Sequence, residues 1–243
     1  MEKTVDVWCV KPQEWLDNEV FEPACQRVLS LSEWFKISNL RLENRRQQQK
    51  LTRVLVRLVL SQYSNHDPKD WVFSLKVGGK PFVANASHPL FFNVSHTQGL
   101  IVCAVSVESE VGVDVEILDK KRNFMAIAQQ YFAEQEFQSL RALRNEQERK
   151  LLFFQLWTLK EAYLKACGKG ITVPLSSICF DTLPINDRHK LDYSAHRESS
   201  SNHWQLKSAR LSEKHLMAVA LRLEPSDTFD LNIYHVSPSD FNL

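Results

Sequence analysis

Glycine is confined to the middle of this 243-residue chain. It occurs only six times, at positions 78, 79, 99, 112, 168 and 170. This is scarce, since an average protein contains about 7% glycine. Because glycine supplies backbone freedom and allows the backbone to approach a ligand closely, we expect the chemistry of the protein in a few short segments between residues 78 and 170.

The composition argues against several classes of protein. The net charge is +1, so the chain lacks the basic field typical of a nucleic-acid-binding protein. No apolar run reaches the roughly 18 residues that span a bilayer, and residues 1–10 lack the apolar core of a signal peptide. Five scattered cysteines without a C-x-x-C pair argue against a disulfide framework or a zinc site. We therefore expect a cytoplasmic protein with no nucleic-acid or membrane partner.

Helical and strand-like patterns alternate along the chain and predict an α+β fold. Leucine and valine recur at helical spacing in residues 47–63, which predicts an amphipathic helix. Further helices are predicted at 31–37, 123–131, 134–144 and 146–167. Strands are predicted at 4–10, 70–82 (a strand, a Gly-Gly turn and a second extended piece), 90–107 (two strands joined by a tight turn), 111–118, 176–183, 203–211 and 215–223.

A weak similarity between two segments of the sequence predicts two similar α+β halves. Residues 94–106 and 210–222 both read as strand, polar turn and apolar strand, and both follow a helix and an earlier strand. The predicted halves are residues 1–110 and residues 111–243. The alternative is a chance match, because hairpins that follow helices are common.

The segment Gly112-Val113-Asp114-Val115-Glu116 places two acids on one face of a predicted strand. Valines favour a strand, and residues two apart on a strand point to the same side. Asp114 and Glu116 therefore lie next to each other and repel. One interpretation is a solvent-facing edge; the other is a site at which both carboxylates hold one cation.

The predicted helix at 146–167 carries a third acid and a lysine. Trp157, Glu161 and Lys165 are four residues apart, so they share one helical face. An ordinary solvated Lys/Glu face explains this spacing equally well. Gly168 is expected to end the helix.

Two further segments suggest contacts with phosphate. In Gly78-Gly79-Lys80-Pro81, a glycine turn presents backbone amides and one cation, which suits a phosphate or an ordinary hairpin; its spacing is not that of a P-loop. Ser95 and His96 are adjacent on a predicted strand and point to opposite faces, so they do not form a nucleophile and base pair. His96 is interpreted as an anion contact or a turn residue.

Together these segments supply three carboxylates and three cationic groups. The carboxylates are Asp114, Glu116 and Glu161, and the cationic groups are Lys80, Lys165 and, when protonated, His96. Carboxylates and substrate phosphates are the partners that Mg²⁺ prefers, and lysines contact phosphate oxygens as point charges. The combination predicts chemistry at a diphosphate.

The order of the motifs "GKP", "FNVSHT", "GVDVE" and "FQLWTLKEAYLKACGKG" resembles the 4′-phosphopantetheinyl transferases of the surfactin-synthetase-activating type. The resemblance is close over residues 78–175 and covers the flanks in outline. It implies two similar α+β halves related by pseudo-twofold symmetry, with the active site between them. It also implies transfer of the phosphopantetheine arm of coenzyme A to a serine of an apo acyl or peptidyl carrier protein, with release of adenosine 3′,5′-bisphosphate.

The resemblance assigns a role to each site residue by position. Asp114, Glu116 and Glu161 would bind Mg²⁺ or Mn²⁺, and Glu161, Glu136 or a metal-bound water would accept the serine proton. Lys165 would stabilise charge on the leaving group. The expected contacts to the nucleotide and its phosphates are Lys36, Arg45, Lys80, Pro81, Ser95, His96 and Lys165.

Two other functions use the same residues. A Mg²⁺-dependent nucleotide phosphohydrolase would need no carrier protein, and a non-catalytic module would bind coenzyme A or a carrier without turnover. All three acids are present, which favours an enzyme. The chain length resembles the two-half monomers of the family more than its short trimeric members, so a monomer is expected.

Overall fold

The computed structural model describes residues 2–119, 123–168, 173–180, 191–194, 204–224 and 226–241. Over these residues the chain forms a mixed α/β fold. The helices are α1 (Pro12–Leu16), α2 (Phe21–Val28), α3 (Leu31–Ser38), α4 (Glu43–Leu60), α5 (Phe124–Tyr131), α6 (Glu134–Ala142) and α7 (Glu146–Cys167). No helix of the described residues is long and apolar enough to cross a membrane.

Most strands belong to two four-stranded sheets. The strands are β1 (Glu2–Val10), β2 (Phe73–Leu75), β3 (Pro81–Val83), β4 (Phe91–Thr97), β5 (Leu100–Ser106), β6 (Val111–Ile117), β7 (Leu191–Ser194), β8 (Trp204–Arg210), β9 (His215–Arg222) and β10 (Thr228–His235). The first sheet has the order β10-β1-β5-β4, and the second has the order β6-β9-β8-β7. β2 and β3 form a separate hairpin. All pairs are antiparallel except β1 with β10, which is parallel.

The two sheets pack face to face. Odd-numbered residues of β1 and β6, including Val5, Val7, Val113 and Val115, fill a core between the sheets. The opposite faces of the sheets are covered by helices, with α1 to α4 on the first sheet and α5 to α7 on the second. Because side chains alternate along a strand, each sheet supplies both a sheet–sheet core and a sheet–helix core.

Most predicted elements are confirmed, with three differences. The helices predicted at 31–37, 123–131, 134–144 and 146–167 are α3, α5, α6 and α7, whereas the helix predicted at 47–63 begins earlier, as α4. The strand predicted at 176–183 is wrong in its described part, because residues 175–177 form a 3₁₀ turn and 178–180 are not in a strand; 181–183 lie outside the described residues. α1, α2 and β10 were not predicted. Their patterns are short, and β10 depends on pairing with a strand about 220 residues earlier.

The last strand also bears on the predicted halves. β10 lies in the second predicted segment, 111–243, yet it pairs along β1 of the first segment from Thr228 to His235. Val236 and Phe241 pack into the core of the first sheet and its helices. The division into residues 1–110 and 111–243 therefore stays a prediction. The C-terminal strand β10 does not follow this division, because it lies in the second segment and pairs with β1 of the first.

Candidate active site

Strand β6 lies directly against helix α7. A Cβ atom added to Gly112 would lie 2.2 Å from the carbonyl oxygen of Ala162 and 2.4 Å from the nitrogen of Ala166. Only glycine allows this approach of strand backbone to helix backbone. Since residues two apart share a face of the strand, the approach also directs Asp114 and Glu116 toward α7.

Asp114, Lys165 and Ser95 form a hydrogen-bonded triangle at this contact. The Nζ atom of Lys165 lies 2.7 Å from Oδ1 of Asp114 and 2.9 Å from Oγ of Ser95. Ser95 Oγ donates to the same Oδ1 at 2.9 Å. The three side chains come from α7, β6 and β4, so the structure brings together residues that lie up to 70 positions apart in the sequence.

Glu161 and Glu116 add further negative charge near Asp114. Burial raises the pKa of Glu161, and the Asp114 and Glu116 carboxylates add to the rise, while Lys165 opposes it. Burial likewise raises the pKa of Asp114, against the stabilising effect of Lys165 and Ser95. Three partly or fully buried carboxylates therefore interact electrostatically; this acidic cluster is Asp114, Glu116 and Glu161.

The acidic cluster has the donor chemistry of a hard metal ion. Oδ2 of Asp114 is buried and has no hydrogen-bond partner among the residues that the structure describes, and a buried oxygen in that state is costly unless something pairs with it. Carboxylate oxygens are the ligands that Mg²⁺ takes. However, no group of three Asp, Glu, His or Cys side chains within the described ranges is gathered closely enough to hold a metal ion. The carboxylates of the acidic cluster are suitable ligands for a metal ion, but these side chains would have to move closer together to coordinate the ion.

His96 follows Ser95 directly on β4. His96 is exposed at the surface, although neighbouring groups partly desolvate its ring. This desolvation lowers the pKa of His96, and the cations Lys165 and Arg45 lower it further. Arg45, near the start of α4, is therefore close enough to act on His96. Lys36 is exposed on α3 and lies outside the described hydrogen bonds of the cluster.

Comparison with known proteins identifies the family of this chain. The family model of the 4′-phosphopantetheinyl transferase superfamily matches residues 110–220, which include β6, α7 and the acidic cluster. A protein of Synechocystis sp., provisionally assigned as a 4′-phosphopantetheinyl transferase, is 32% identical over 219 residues, 86% of this chain and 87% of the relative. The chain belongs to the 4′-phosphopantetheinyl transferase family. Such transferases carry phosphopantetheine from coenzyme A to carrier proteins.

Two other relatives match about half of the transferase. The 4′-phosphopantetheinyl transferase HetI of Nostoc sp. is 39% identical over 121 residues, 49% of this chain and 51% of the relative. The 4′-phosphopantetheinyl transferase Sfp of Bacillus subtilis is 34% identical over 124 residues, 51% of this chain and 53% of the relative. The resemblance to the surfactin-activating type is confirmed.

The ammonium group of Lys80 donates three hydrogen bonds to oxygen atoms of the protein. Its Nζ donates to Oε2 of Glu110 at 2.6 Å and to the carbonyl oxygens of Val111 and Ala166 at 2.9 and 2.8 Å. An ammonium has three donors, so none remains for a ligand, and the side chain is only 7% exposed. In this arrangement Lys80 ties the β2–β3 turn to β6 and to the end of α7. The phosphate contact expected at Lys80 stays a prediction.

The turn that carries Lys80 is a packed hairpin rather than an open anion cradle. The amide of Gly79 donates to the carbonyl oxygen of Lys76 at 2.9 Å. A Cβ at Gly78, where φ is 93°, would lie 2.1 Å from the carbonyl oxygen of Gly168. Gly168 has a φ of 67° and ends α7, as predicted. Pro81 is exposed at the start of β3 beside this turn.

Glu136 of the transferase is enclosed in the core beneath the second sheet. It is 0% exposed and pairs with Lys160 at 2.7 Å. Its Oε2 also accepts from the amide of Ala133 at 3.0 Å, and its Oε1 accepts from the amide of Phe180 at 3.1 Å. A base must reach the proton it accepts, so the burial of Glu136 favours a structural role, and the expectation that Glu136 is a base stays a prediction.

Asn93 and Thr97 help to hold β4 against β6, and the sequence analysis did not identify either of them. Asn93 Oδ1 accepts from the amide of Val113 at 2.9 Å, Ser95 Oγ accepts from that of Val115 at 3.3 Å, and Thr97 Oγ1 accepts from that of Ile117 at 3.3 Å. The side chains of Asn93, Ser95 and Thr97 form a polar ladder along this edge of β6. Their spacing of two residues in "FNVSHT" was the available signal, but it does not reveal which strand lies opposite.

Proposed function

We propose that the acidic cluster is where this transferase moves the phosphopantetheine arm from coenzyme A to a serine of an apo acyl or peptidyl carrier protein. The serine oxygen forms a bond to the phosphorus that bears the pantetheine arm, and the bond from that phosphorus to the oxygen of the adenosine bisphosphate breaks. The serine proton passes to a base, and adenosine 3′,5′-bisphosphate leaves. The observation that supports this site best is the buried Asp114, whose Oδ2 has no hydrogen-bond partner in the described part of the chain.

Asp114, Glu116 and Glu161 are the residues that would hold Mg²⁺ or Mn²⁺ in this proposal. Such an ion, when bound, supplies positive charge to the pyrophosphate of coenzyme A and to the developing charge of the leaving group. The buried negative charge of the three carboxylates favours a cation of this kind. The surrounding protein supplies the orientation, which is the larger part of catalysis at phosphorus when no nucleophile belongs to the enzyme.

The ammonium of Lys165, the guanidinium of Arg45 and the ring of His96 are proposed to bind the phosphates. Lys165 uses its three donors within the protein in this state, as Lys80 does, but its side chain is 30% exposed, compared with 7% for Lys80. Lys165 is therefore accessible to a ligand and would be released from Asp114 once that carboxylate is paired with a cation. Lys36 stays a predicted contact of the nucleotide.

Glu161 is the proposed base. It lies on α7 four residues before Lys165, and its charge interacts with that of Asp114, whereas Glu136 is enclosed with Lys160. A positioned base contributes roughly 10²–10⁴-fold to a proton transfer. A metal-bound water remains the other candidate acceptor.

The fold supports a site between two halves. Ser95 belongs to the first sheet, and Asp114 to the second, and they share a hydrogen bond. We propose that each sheet with its helices is one of two similar units related by a pseudo-twofold axis, and that the enzyme acts in the cytoplasm as a monomer.

The test is a transfer assay with fluorescent coenzyme A, Mg²⁺ and an apo carrier protein. We expect a labelled carrier with the native protein, and loss of labelling with a chelator or with Asp114→Asn, which keeps the side-chain shape. Release of the nucleotide without a carrier would replace the proposal with a phosphohydrolase, and binding without turnover would replace it with a binding module. Full labelling by a folded Asp114→Asn variant would refute the role of the acidic cluster.

A further inference from the structure

The imidazole of His215 joins the second sheet to the first. His215 is the first residue of β9 and lies opposite Ile117 of β6. Its Nε2 atom lies 2.9 Å from the carbonyl oxygen of Gln98, which belongs to the two-residue turn between β4 and β5 of the first sheet. Because a carbonyl oxygen only accepts hydrogen bonds, Nε2 carries the hydrogen and donates it to Gln98.

Ser212 selects this form of the His215 ring. The hydroxyl of Ser212 accepts from the amides of Lys214 and His215 at 3.1 and 3.2 Å, and these two bonds fill its two acceptor positions. The one hydrogen of the hydroxyl is left for Nδ1 of His215, at 3.0 Å. Nδ1 therefore accepts, and a neutral ring with its hydrogen on Nε2 satisfies all of these bonds.

The turn that His215 contacts follows the strand that carries predicted phosphate contacts. His96 lies on β4, two residues before Gln98. Thr97, between these two residues, accepts from the amide of Ile117 at 3.3 Å. Since Ile117 and His215 are paired across β6 and β9, one residue pair of the second sheet binds two consecutive residues at the end of β4.

The ring of His215 also packs against this turn. Gly99 has a φ of 79°, and a Cβ atom added to it would lie 3.9 Å from both Cε1 and Nε2 of His215, which is ordinary van der Waals contact. Gln98 and Gly99 are exposed, whereas His215 is half-buried. The turn therefore gains little from its own burial, and the His215 ring provides it with both a hydrogen bond and a packing surface.

We propose that His215 is a positioning residue that fixes the β4–β5 turn, and with it His96, relative to the acidic cluster. This inference rests on the proposed function, in which the ring of His96 contacts the phosphates of coenzyme A. The charges of Asp114 and Lys165 act on His96, so the three groups are close to one another. A shift of the turn would move His96 away from the place where these groups receive the phosphates.

Two substitutions of His215 separate its hydrogen bond from the bulk of its ring. His215→Gln keeps a side-chain N–H group for the carbonyl oxygen of Gln98, whereas His215→Leu keeps a comparable volume and removes the donor. Ser109→Ala is the control, because it removes a side-chain bond to the carbonyl oxygen of Arg222 at the opposite end of β9. For each protein we would measure hydrogen exchange at residues 97–100, coenzyme A binding by calorimetry with Mg²⁺, and steady-state transfer.

The positioning role predicts a specific set of results. His215→Leu should speed hydrogen exchange in the turn and weaken coenzyme A binding about 3–10-fold, as expected for the loss of one hydrogen bond. The KM for coenzyme A should rise to the same extent while kcat stays within about 3-fold of native, because a displaced phosphate contact weakens binding. His215→Gln should recover most of the affinity, and Ser109→Ala should match the native protein in the turn and in coenzyme A binding.

Other results would overturn the inference. Native coenzyme A affinity in folded His215→Leu, or a lower kcat with an unchanged KM, would leave His215 with a structural role only. An equal loss of affinity in His215→Gln would assign the effect to the ring and not to its hydrogen bond.

Ser212→Ala provides the test if His215→Leu does not fold. Nitrogen-15 NMR should find the ring hydrogen of His215 on Nε2 in the native protein and on either nitrogen in the variant, with weaker coenzyme A binding. A native ring and native affinity in Ser212→Ala would contradict the inference. If the native protein labels no carrier although His215→Leu loosens the turn, the proposed function fails by itself, since hydrogen exchange requires no turnover.

Discussion

The Nζ atom of Lys165 lies 2.7 Å from Oδ1 of Asp114, so one ion pair joins the end of α7 to the middle of β6. Asp114 is buried, and burial raises the pKa of its carboxyl group, while Lys165 limits the rise. The pair can form only because the backbone of β6 at Gly112 approaches the backbone of α7. The charge balance of the site therefore depends on the packing of one strand against one helix.

This packing makes Gly112 a sensitive position. In Gly112→Ala the new methyl group would overlap the α7 backbone at Ala162 and Ala166, so the helix must move away from Asp114. We expect a loss of about 1–3 kcal/mol in the free energy of unfolding and a much lower rate of transfer by the folded fraction. Chemical denaturation and the carrier-labelling assay measure the two effects.

Gly79→Ala is the control for this prediction. Gly79 has an unfavourable backbone for alanine, with a φ of 84°, whereas no atom of the described residues outside its chain neighbours lies within 4 Å of the added methyl group. It should lose some stability and keep transfer. Native stability and native transfer in Gly112→Ala would contradict the close approach.

Lys80 and Arg45 should respond differently to loss of charge. Lys80→Met removes three hydrogen bonds, two of them buried, and should lower the free energy of unfolding by about 1–3 kcal/mol, with little change in the KM for coenzyme A. Arg45→Gln should raise that KM about 10-fold, as expected for loss of one charged contact, with little change in stability. Thermal unfolding measures the change in stability, and steady-state kinetics measures the change in the KM for coenzyme A. A raised KM with native stability in Lys80→Met would support Lys80 as a phosphate contact.

The buried pair of Glu136 and Lys160 should govern stability rather than chemistry. Glu136→Gln leaves the ammonium of Lys160 without its counter-charge in a fully buried site, which costs about 3–5 kcal/mol. The double variant Glu136→Gln/Lys160→Met removes both charges and should regain part of this loss. Transfer per folded molecule should stay within about 3-fold of native in both variants. A folded Glu136→Gln protein without transfer would make Glu136 the base after all.

Stability at acid pH should depend on Glu33. Burial by itself would raise the pKa of Glu33, but hydrogen bonds from Ser30 and the guanidinium of Arg57 outweigh it, so the pKa lies below its ordinary value of 4.5. The ion pair is short, 2.8 Å between Oε2 of Glu33 and Nη2 of Arg57. Because the pKa is lower in the folded state, this stabilisation is present above the unfolded pKa and disappears as the pH falls through the folded pKa.

The measurement compares native protein with Glu33→Gln between pH 3 and pH 7, by urea denaturation. The native protein should be more stable near neutral pH, and the difference should shrink below about pH 4.5. A difference that does not vary with pH would show that the charge of Glu33 is not involved.

The sequence by itself determined the elements that carry regular patterns and the chemical character of the site. The i, i+4 spacing of Glu161 and Lys165 and the i, i+2 spacing of Asp114 and Glu116 predicted the helix and strand faces correctly, because side-chain direction follows from local geometry. The order of the motifs was specific enough to indicate the family.

Only the tertiary structure decided which of these groups face one another. Lys80 and Lys165 are both lysines near glycines in the sequence, yet one is enclosed by Glu110, Val111 and Ala166 and the other is partly exposed beside Asp114. Glu136 and Glu161 are both helical acids, and only burial with Lys160 separates their roles. Burial, the contacts of β4 side chains with the β6 backbone and the pairing of β1 with β10 arise between distant segments, which no local pattern specifies.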